Sequence, residues 1–143
     1  MQQELVRKWM TPDPVTINLN TSLTDVHALL REHDIRRLPV IDEQGHLVGI
    51  VTLGDIREAS PSNTTSLSIW ELQYLLSKLK ITEIMTPDPV TIYTTDTIAE
   101  AAQVMLQNKI SGLPVVEPDG SLAGIITESD IFRLVVQQWG QPK

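Results

Sequence analysis

The sequence contains no cysteine, a single phenylalanine and only 4% aromatic residues. The first absence removes disulfides, thiolate nucleophiles and cysteine metal ligands together. Positive charge is also scarce, with 11 Lys and Arg against 18 Asp and Glu for a net charge of −7. Basic residues occur only in short clusters such as Arg36-Arg37 and Arg7-Lys8. A duplex nucleic-acid binder needs a basic stripe, so no nucleic-acid or anionic-membrane partner is expected, although a small anion could be held locally. No apolar stretch approaches the ~20 residues that a membrane-spanning helix requires. The first ten residues, MQQELVRKWM, lack the apolar core of a secretion signal. A soluble, cytoplasmic protein is expected. His27, His33 and His46 are the only histidines. The first two are six apart on an expected helix and so face different ways; with no carboxylate cluster at ligand spacing, no metal site is expected. Nucleophile-elbow, P-loop and dinucleotide fingerprints are absent too, and no partner group is placed to make a carboxylate an acid or base, so no catalytic residue is named.

What is present is a duplication. Met10-Thr-Pro-Asp-Pro-Val-Thr-Ile17 returns letter for letter as Met85-Thr-Pro-Asp-Pro-Val-Thr-Ile92, and the register holds without a gap to Arg57 and Phe132. Nineteen of the 49 aligned pairs are identical, including Ile35 with Ile110, Leu38-Pro-Val40 with Leu113-Pro-Val115, and Thr52 and Asp55 with Thr127 and Asp130. One supersecondary unit is therefore used twice. Each copy alone could bury only a marginal core, so a shared core is expected. The division predicted is 1–60 for the first copy, 61–80 for a linker with an amphipathic helix, and 81–143 for the second copy.

Local chemistry gives the order of elements. Thr-Pro-Asp-Pro cannot be regular helix, because each proline lacks an amide and restricts the residue before it. Val15-Thr-Ile17 and Val90-Thr-Ile92 read as short β-branched strands. Ile98, Ala101, Ala102, Met105 and Leu106 then fall on one helical stripe, as do Leu23, Val26 and Leu30. Ser22-x-x-Asp25 and Thr97-x-x-Glu100 are the corresponding capping boxes. Leu38–Ile41 and Leu47–Val51, joined by Asp42-Glu-Gln-Gly45, form a hairpin, matched by Leu113–Val116 and Leu122–Ile126 across Glu117-Pro-Asp-Gly120. Each copy closes with a helix opening at Thr52 or Thr127. The fold class expected is α+β: two β-α-β-β-α repeats related by a pseudo-twofold and packed through their sheets. Between them, Ser68-Ile-Trp-Glu71 caps a linker helix carrying Leu72, Leu75, Leu76 and Leu79. Gly140 is the expected C-cap of the last helix.

Chemistry concentrates in Gly49-Ile-Val-Thr-Leu-Gly-Asp55 and Gly124-Ile-Ile-Thr-Glu-Ser-Asp130. Each places a strand glycine, a hydroxyl at a helix start and a carboxylate three residues later. Thr-x-x-Asp can simply satisfy the helix's own unpaired amides. A helix N-terminus is also a natural phosphate site, and the glycine implies that another group approaches the backbone closely. The residue pattern leaves both readings open.

These motifs, following Leu-Pro-Val and preceded by Met-Thr-x-x-Pro-Val-Thr, resemble a CBS domain, and the duplicated chain resembles a CBS pair, or Bateman module, over nearly its whole length. Arg57-Glu-Ala-Ser-Pro-Ser and Trp70-Glu-Leu-Gln-Tyr-Leu-Leu76 are similar to stand-alone pairs of the acetoin-utilisation (AcuB-like) type. The resemblance implies an adenosine-containing ligand, AMP, ADP, ATP or S-adenosylmethionine, in two clefts between the repeats, with no cofactor required. Asp takes the ribose hydroxyls, Thr or Ser the ribose or phosphate, and the base lies against backbone of the partner copy. One implied cleft combines Thr52 and Asp55 with Thr86, Val90, Thr91, Ile110 and Ser111. The other combines Thr127, Ser129 and Asp130 with Thr11, Val15, Thr16, Ile35, Arg36 and Arg37. Arg36-Arg37 is replaced by Ser111-Gly112, and Gly54 by Ser129, so the Asp130 cleft is expected to hold phosphate better. The alternative for the arginines is a solvated surface pair. The function implied is a non-catalytic ligand sensor, homodimeric, acting on an unknown protein in trans. The alternative is a ligand-independent dimerisation or interaction module.

Overall fold

The computed structural model describes residues 4–59 and 69–140. The expected cap Ser68 and most of the expected 59–65 turn segment lie outside the described residues. In chain order the elements are α1 (Val6–Trp9), β1 (Thr11–Pro12), α2 (Leu23–Glu32), β2 (Arg37–Ile41), β3 (Leu47–Thr52), α3 (Leu53–Ala59), α4 (Ile69–Ser77), α5 (Ile81–Ile84), β4 (Thr86–Pro87), β5 (Ile92–Tyr93), α6 (Ile98–Asn108), β6 (Gly112–Val116), β7 (Leu122–Thr127) and α7 (Glu128–Trp139). This is the expected mixed α+β repeat, with a one-turn helix added before each Met-Thr-Pro. The elements form two compact units, Val15–Pro89, and Met1–Pro14 with Val90–Lys143.

The unit Val15–Pro89 holds a three-stranded sheet ordered β2-β3-β4. Its antiparallel hairpin pairs Leu38 with Val51 and Val40 with Gly49, and turns at Gly45, whose φ of 82° suits glycine. Asp42 Oδ1 accepts from the amides of Gln44 and His46 and so closes the turn. Leu23, Val26 and Leu30 of α2 pack with Leu38, Val40, Val51 and Ile56 in one core. Leu76 of α4 is buried in the same core, while Trp70 and Tyr74 are exposed.

The other unit repeats the plan as a four-stranded sheet, β1-β7-β6-β5. Leu113 pairs with Ile126 as Leu38 pairs with Val51, and both hairpins slip register at the equivalent place. Thr97 caps α6 in a full capping box with Glu100, whereas Ser22 caps α2 one-sidedly by accepting from the Asp25 amide at 3.1 Å. Ile98, Ala101 and Met105 face the core, but Leu106 is 75% exposed. Eight residues on from Ile98, it has rotated about 80° off the buried face.

The short strands need correcting. Val15 and Thr16 form no ladder, and only Ile17 bridges in parallel to Val40. In the second copy the strand starts at Ile92 instead of Val90 and runs parallel to β6. Sequence also gave no sign of a swap. The Thr-Pro of the first copy pairs with β7 of the second, Thr11 opposite Ile125, and Thr86-Pro87 pairs with β3 of the first. Each compact unit therefore borrows its edge strand from the other copy.

Candidate functional site

The strand glycines show what approaches them. A Cβ on Gly124 would lie 2.6 Å from the Thr11 carbonyl oxygen and 2.7 Å from Met10 Sδ. One on Gly49 would meet Met85 Sδ at 2.6 Å and the Thr86 carbonyl at 3.1 Å. The close approach predicted at these glycines is made by the borrowed Met-Thr segment of the protein itself.

Beside each glycine strand lies a Thr-x-x-Asp turn. In the Val15–Pro89 unit the Thr52 amide donates to Asp55 Oδ2 at 2.8 Å and the Asp55 amide donates to Thr52 Oγ1 at 3.1 Å. Leu53 N donates to the Arg36 carbonyl, and Arg37 pairs with Thr52 across the hairpin. Thr86, opposite Ile50, is two residues from Thr52 along the sheet. This unit thus gathers Thr52, Asp55, Thr86, Ile35, Arg36 and Arg37, with Val15 and Thr16 half-buried before the Ile17 bridge.

The other unit builds the same turn with a difference. The Thr127 amide donates to Asp130 Oδ2 at 2.8 Å, and the Thr127 hydroxyl to the same oxygen at 3.4 Å. Arg133 Nη2 donates to Asp130 Oδ1 in an i,i+3 ion pair. Asp130 is only 3% exposed, while the Arg133 side chain is 62% exposed. Glu128 N donates to the Ser111 carbonyl at 3.0 Å, and Ser129 is exposed in the first turn of α7. Thr11, Ile110, Ser111, Val90 and Thr91 belong to this unit as well. The segment before each Leu-Pro-Val therefore lies against the Thr-x-x-Asp turn of its own copy.

Both aspartates cap their helices, as the plainer reading of Thr-x-x-Asp requires. The cap engages Oδ2 in each case, and a carboxylate oxygen has a second lone pair, so capping leaves acceptor capacity. Arg133 was not singled out from sequence, although its i,i+3 spacing from Asp130 on a helix was a readable signal. Its counterpart in the first copy is Glu58. Among the described residues no group of His, Asp and Glu could hold a metal, and no helix is long and apolar enough to cross a membrane.

A separate groove of about 330 Å³ lies along α6 and α7, lined by Glu4, Ile98, Ala102, Leu134, Val135 and Trp139 among others. None of the expected ligand residues lines it. The Trp9 indole donates to Glu4 at its rim and, with Lys8, holds that carboxyl below its usual range.

Comparison with known proteins places the chain. The CBS domain family model matches residues 6–62 and again 81–137. A CBS domain-containing protein of Dictyostelium discoideum is 36% identical over 133 residues, covering 93% of this chain and 92% of that one. The structure of Arabidopsis thaliana CBSX2 in complex with AMP is 34% identical with a TM-score of 0.80, covering 94% of this chain and 98% of the other. The CBS pair of protein MJ0100, in complex with 5′-methylthioadenosine and S-adenosyl-L-methionine, is 33% identical with a TM-score of 0.79, covering 96% and 99%. A putative acetoin utilisation protein (AcuB) from Vibrio cholerae superposes with a TM-score of 0.76 at 29% identity over 99% of this chain and 100% of that one. Some relatives are longer enzymes; the chain spans only 23% of an L-aspartate semialdehyde sulfurtransferase of Methanocaldococcus jannaschii. The chain belongs to the CBS domain family, as a tandem pair.

Proposed function

We propose that this chain is a non-catalytic regulatory module that binds an adenosine-containing ligand and passes the binding event to a partner protein in trans. One observation carries the reading. Each repeat holds a Thr-x-x-Asp turn with spare acceptor capacity, in a chain that aligns over nearly its full length with CBS pairs solved with AMP and with S-adenosylmethionine. In this reading Asp130 and Asp55 accept from ribose hydroxyls. Thr127 and Ser129, or Thr52, contact ribose or phosphate. Thr11, Val15, Thr16, Ile35, Arg36, Arg37, Thr86, Val90, Thr91, Ile110 and Ser111 are the remaining ligand residues of this proposal. The repeats 1–60 and 81–143, with linker 61–80, are the functional division. A ligand that binds one arrangement of the repeats better than another shifts their equilibrium, which is all that signalling by linkage requires. The ligands named are intracellular metabolites, which supports a cytoplasmic site of action.

A homodimer is part of the proposal. Phe132, Val135, Val136 and Trp139 on α7 are 61%, 38%, 67% and 71% exposed at i, i+3, i+4 and i+7. The stretch Leu134–Gly140 carries no charge. A chain of net charge −7 repels its copies elsewhere but not here. The same stripe supports a second reading, a ligand-independent interaction module whose aspartates serve only as caps.

A thermal-shift panel of AMP, ADP, ATP, S-adenosylmethionine and NAD separates the two. A ligand at a hundredfold its Kd adds ~2.7 kcal/mol of stability. No shift across the panel refutes the sensor and leaves the interaction module.

A further inference from the structure

The two Thr-x-x-Asp turns differ most at a position three residues beyond the aspartate. Asp130 is covered: its Oδ2 serves the Thr127 amide, its Oδ1 takes Arg133, and almost none of its surface is exposed. Asp55 holds the same cap with no cation on its carboxylate among the described residues, and it is more open. Glu58 occupies the place of Arg133 and cannot make that contact. Other charges lie nearby in each unit. Arg36, Arg37 and Arg57 belong to the Asp55 unit, and Glu128 sits in the first turn of α7. Net charge alone therefore does not rank the two turns, whereas direct occupancy of the carboxylate does.

We propose that Arg133 is the residue that makes the Asp130 turn selective for anionic adenosyl ligands, by exchanging Asp130 for the ligand's own negative group. The inference rests on the adenosyl reading above. A ribose diol approaching Asp130 has to displace the guanidinium that covers it. The side chain that is displaced is long, mostly exposed, and anchored one helical turn from the carboxylate, so it can turn toward a group on the ligand that replaces it. A 5′-phosphate offers it a new charge-assisted bond, bidentate where the geometry allows, and the exchange leaves no charge unpaired. An uncharged nucleoside offers no replacement, so the lost Asp130–Arg133 pair counts against its binding. At Asp55 no cation is displaced and none is released to the ligand, so phosphate gains nothing by this route. Arg133 is thus a positioning and specificity residue, and Glu58 is its inverse in the other repeat.

Calorimetric titration with AMP and with adenosine tests this, using Asp55→Ala to isolate the Asp130 turn and Asp130→Ala to isolate the Asp55 turn. In the first background Arg133→Gln is expected to lower the ratio of AMP to adenosine affinity about tenfold or more, the scale of one charge-assisted hydrogen bond, chiefly because adenosine no longer has an ion pair to displace. In the second background Glu58→Arg is expected to move the AMP-to-adenosine ratio the opposite way. Thermal melts confirm that each variant is folded. Equal changes for both ligands, or no change, overturn the role of Arg133 and leave the sensor reading standing. Failure of the wild-type chain to bind either ligand removes the sensor reading and this inference with it.

Discussion

Replacing Gly124 by alanine places a methyl group against backbone that has little room to move. The new Cβ would be 2.6 Å from the Thr11 carbonyl oxygen, where ordinary contact begins at 3.4 Å. Met10 Sδ, at 2.7 Å, can rotate away. The carbonyl cannot, because the pairing of Thr11 with Ile125 holds it there. The borrowed strand must retreat by about 0.8 Å, the difference between 3.4 and 2.6 Å. Overpacking of this kind costs ~1–3 kcal/mol, and the stiffer unfolded chain returns ~0.4–1 kcal/mol. The expected net loss of ~1–2 kcal/mol lowers Tm by about 3–10 °C in a chain of this size. Gly49→Ala is the internal control. Its nearest neighbour at 2.6 Å is the flexible Met85 sulfur, and the Thr86 carbonyl stands back at 3.1 Å. It should cost less than half as much. In double-mutant cycles, Met85→Ala should relieve Gly49→Ala more fully than Met10→Ala relieves Gly124→Ala. Thermal melts followed by circular dichroism read all six variants, four single and two double. If Gly124→Ala melts at or above wild type, or Gly49→Ala is the costlier change, the backbone-contact account of these glycines is wrong.

The remaining predictions concern the aspartates, pH and assembly. Asp130→Ala should cost ~1–2 kcal/mol and Asp55→Ala about 1 kcal/mol in chemical denaturation, because both remove a helix cap and only the first also removes an ion pair, that with Arg133. In calorimetry Asp130→Ala should reduce AMP affinity more than Asp55→Ala, and the reverse order would refute the expected ranking of the two turns. His27 is held below its ordinary value of 6.5 first by burial and then by neighbouring Arg31. The folded chain therefore takes up its proton less readily than the unfolded one. This contribution is complete above about pH 6.5 and is lost as pH falls through the folded value. His27→Gln should flatten the decline in stability between about pH 7 and 5; an unchanged or steeper slope would refute the assignment. Light scattering on the wild-type chain should give twice 16.0 kDa. Val136→Lys and Trp139→Lys should give monomer without lowering the unimolecular stability, and a monomeric wild type would remove the α7 interface.

Much of the repeat was legible in one dimension because its signals are local. The stripe Leu23, Val26, Leu30 and the capping box Thr97-x-x-Glu100 are satisfied within a turn or two of helix, so residue spacing alone specifies them. The hairpins were equally readable, since Gly45 and Gly120 sit at positive φ between β-branched runs. The Val15–Ile17 strand was misread because β propensity does not create a partner, and only Ile17 finds one.

The duplication itself set the limit of sequence reasoning. Both copies carry the same Met-Thr-Pro and nearly the same Gly-Ile-(Val or Ile)-Thr strand. Locally, Thr11 could pair beside Gly49 as well as beside Gly124. Equal local signals leave that choice degenerate, and only a contact between residues over a hundred positions apart resolves it in favour of Gly124. The same holds for the carboxylates. Thr-x-x-Asp named Asp55 and Asp130 as equals, but packing buried one beneath an arginine and left the other more open. Sequence by itself determined that a helix-capping turn would appear twice. Tertiary structure decided which strand each copy lends and which aspartate is covered, because those outcomes depend on what meets in space.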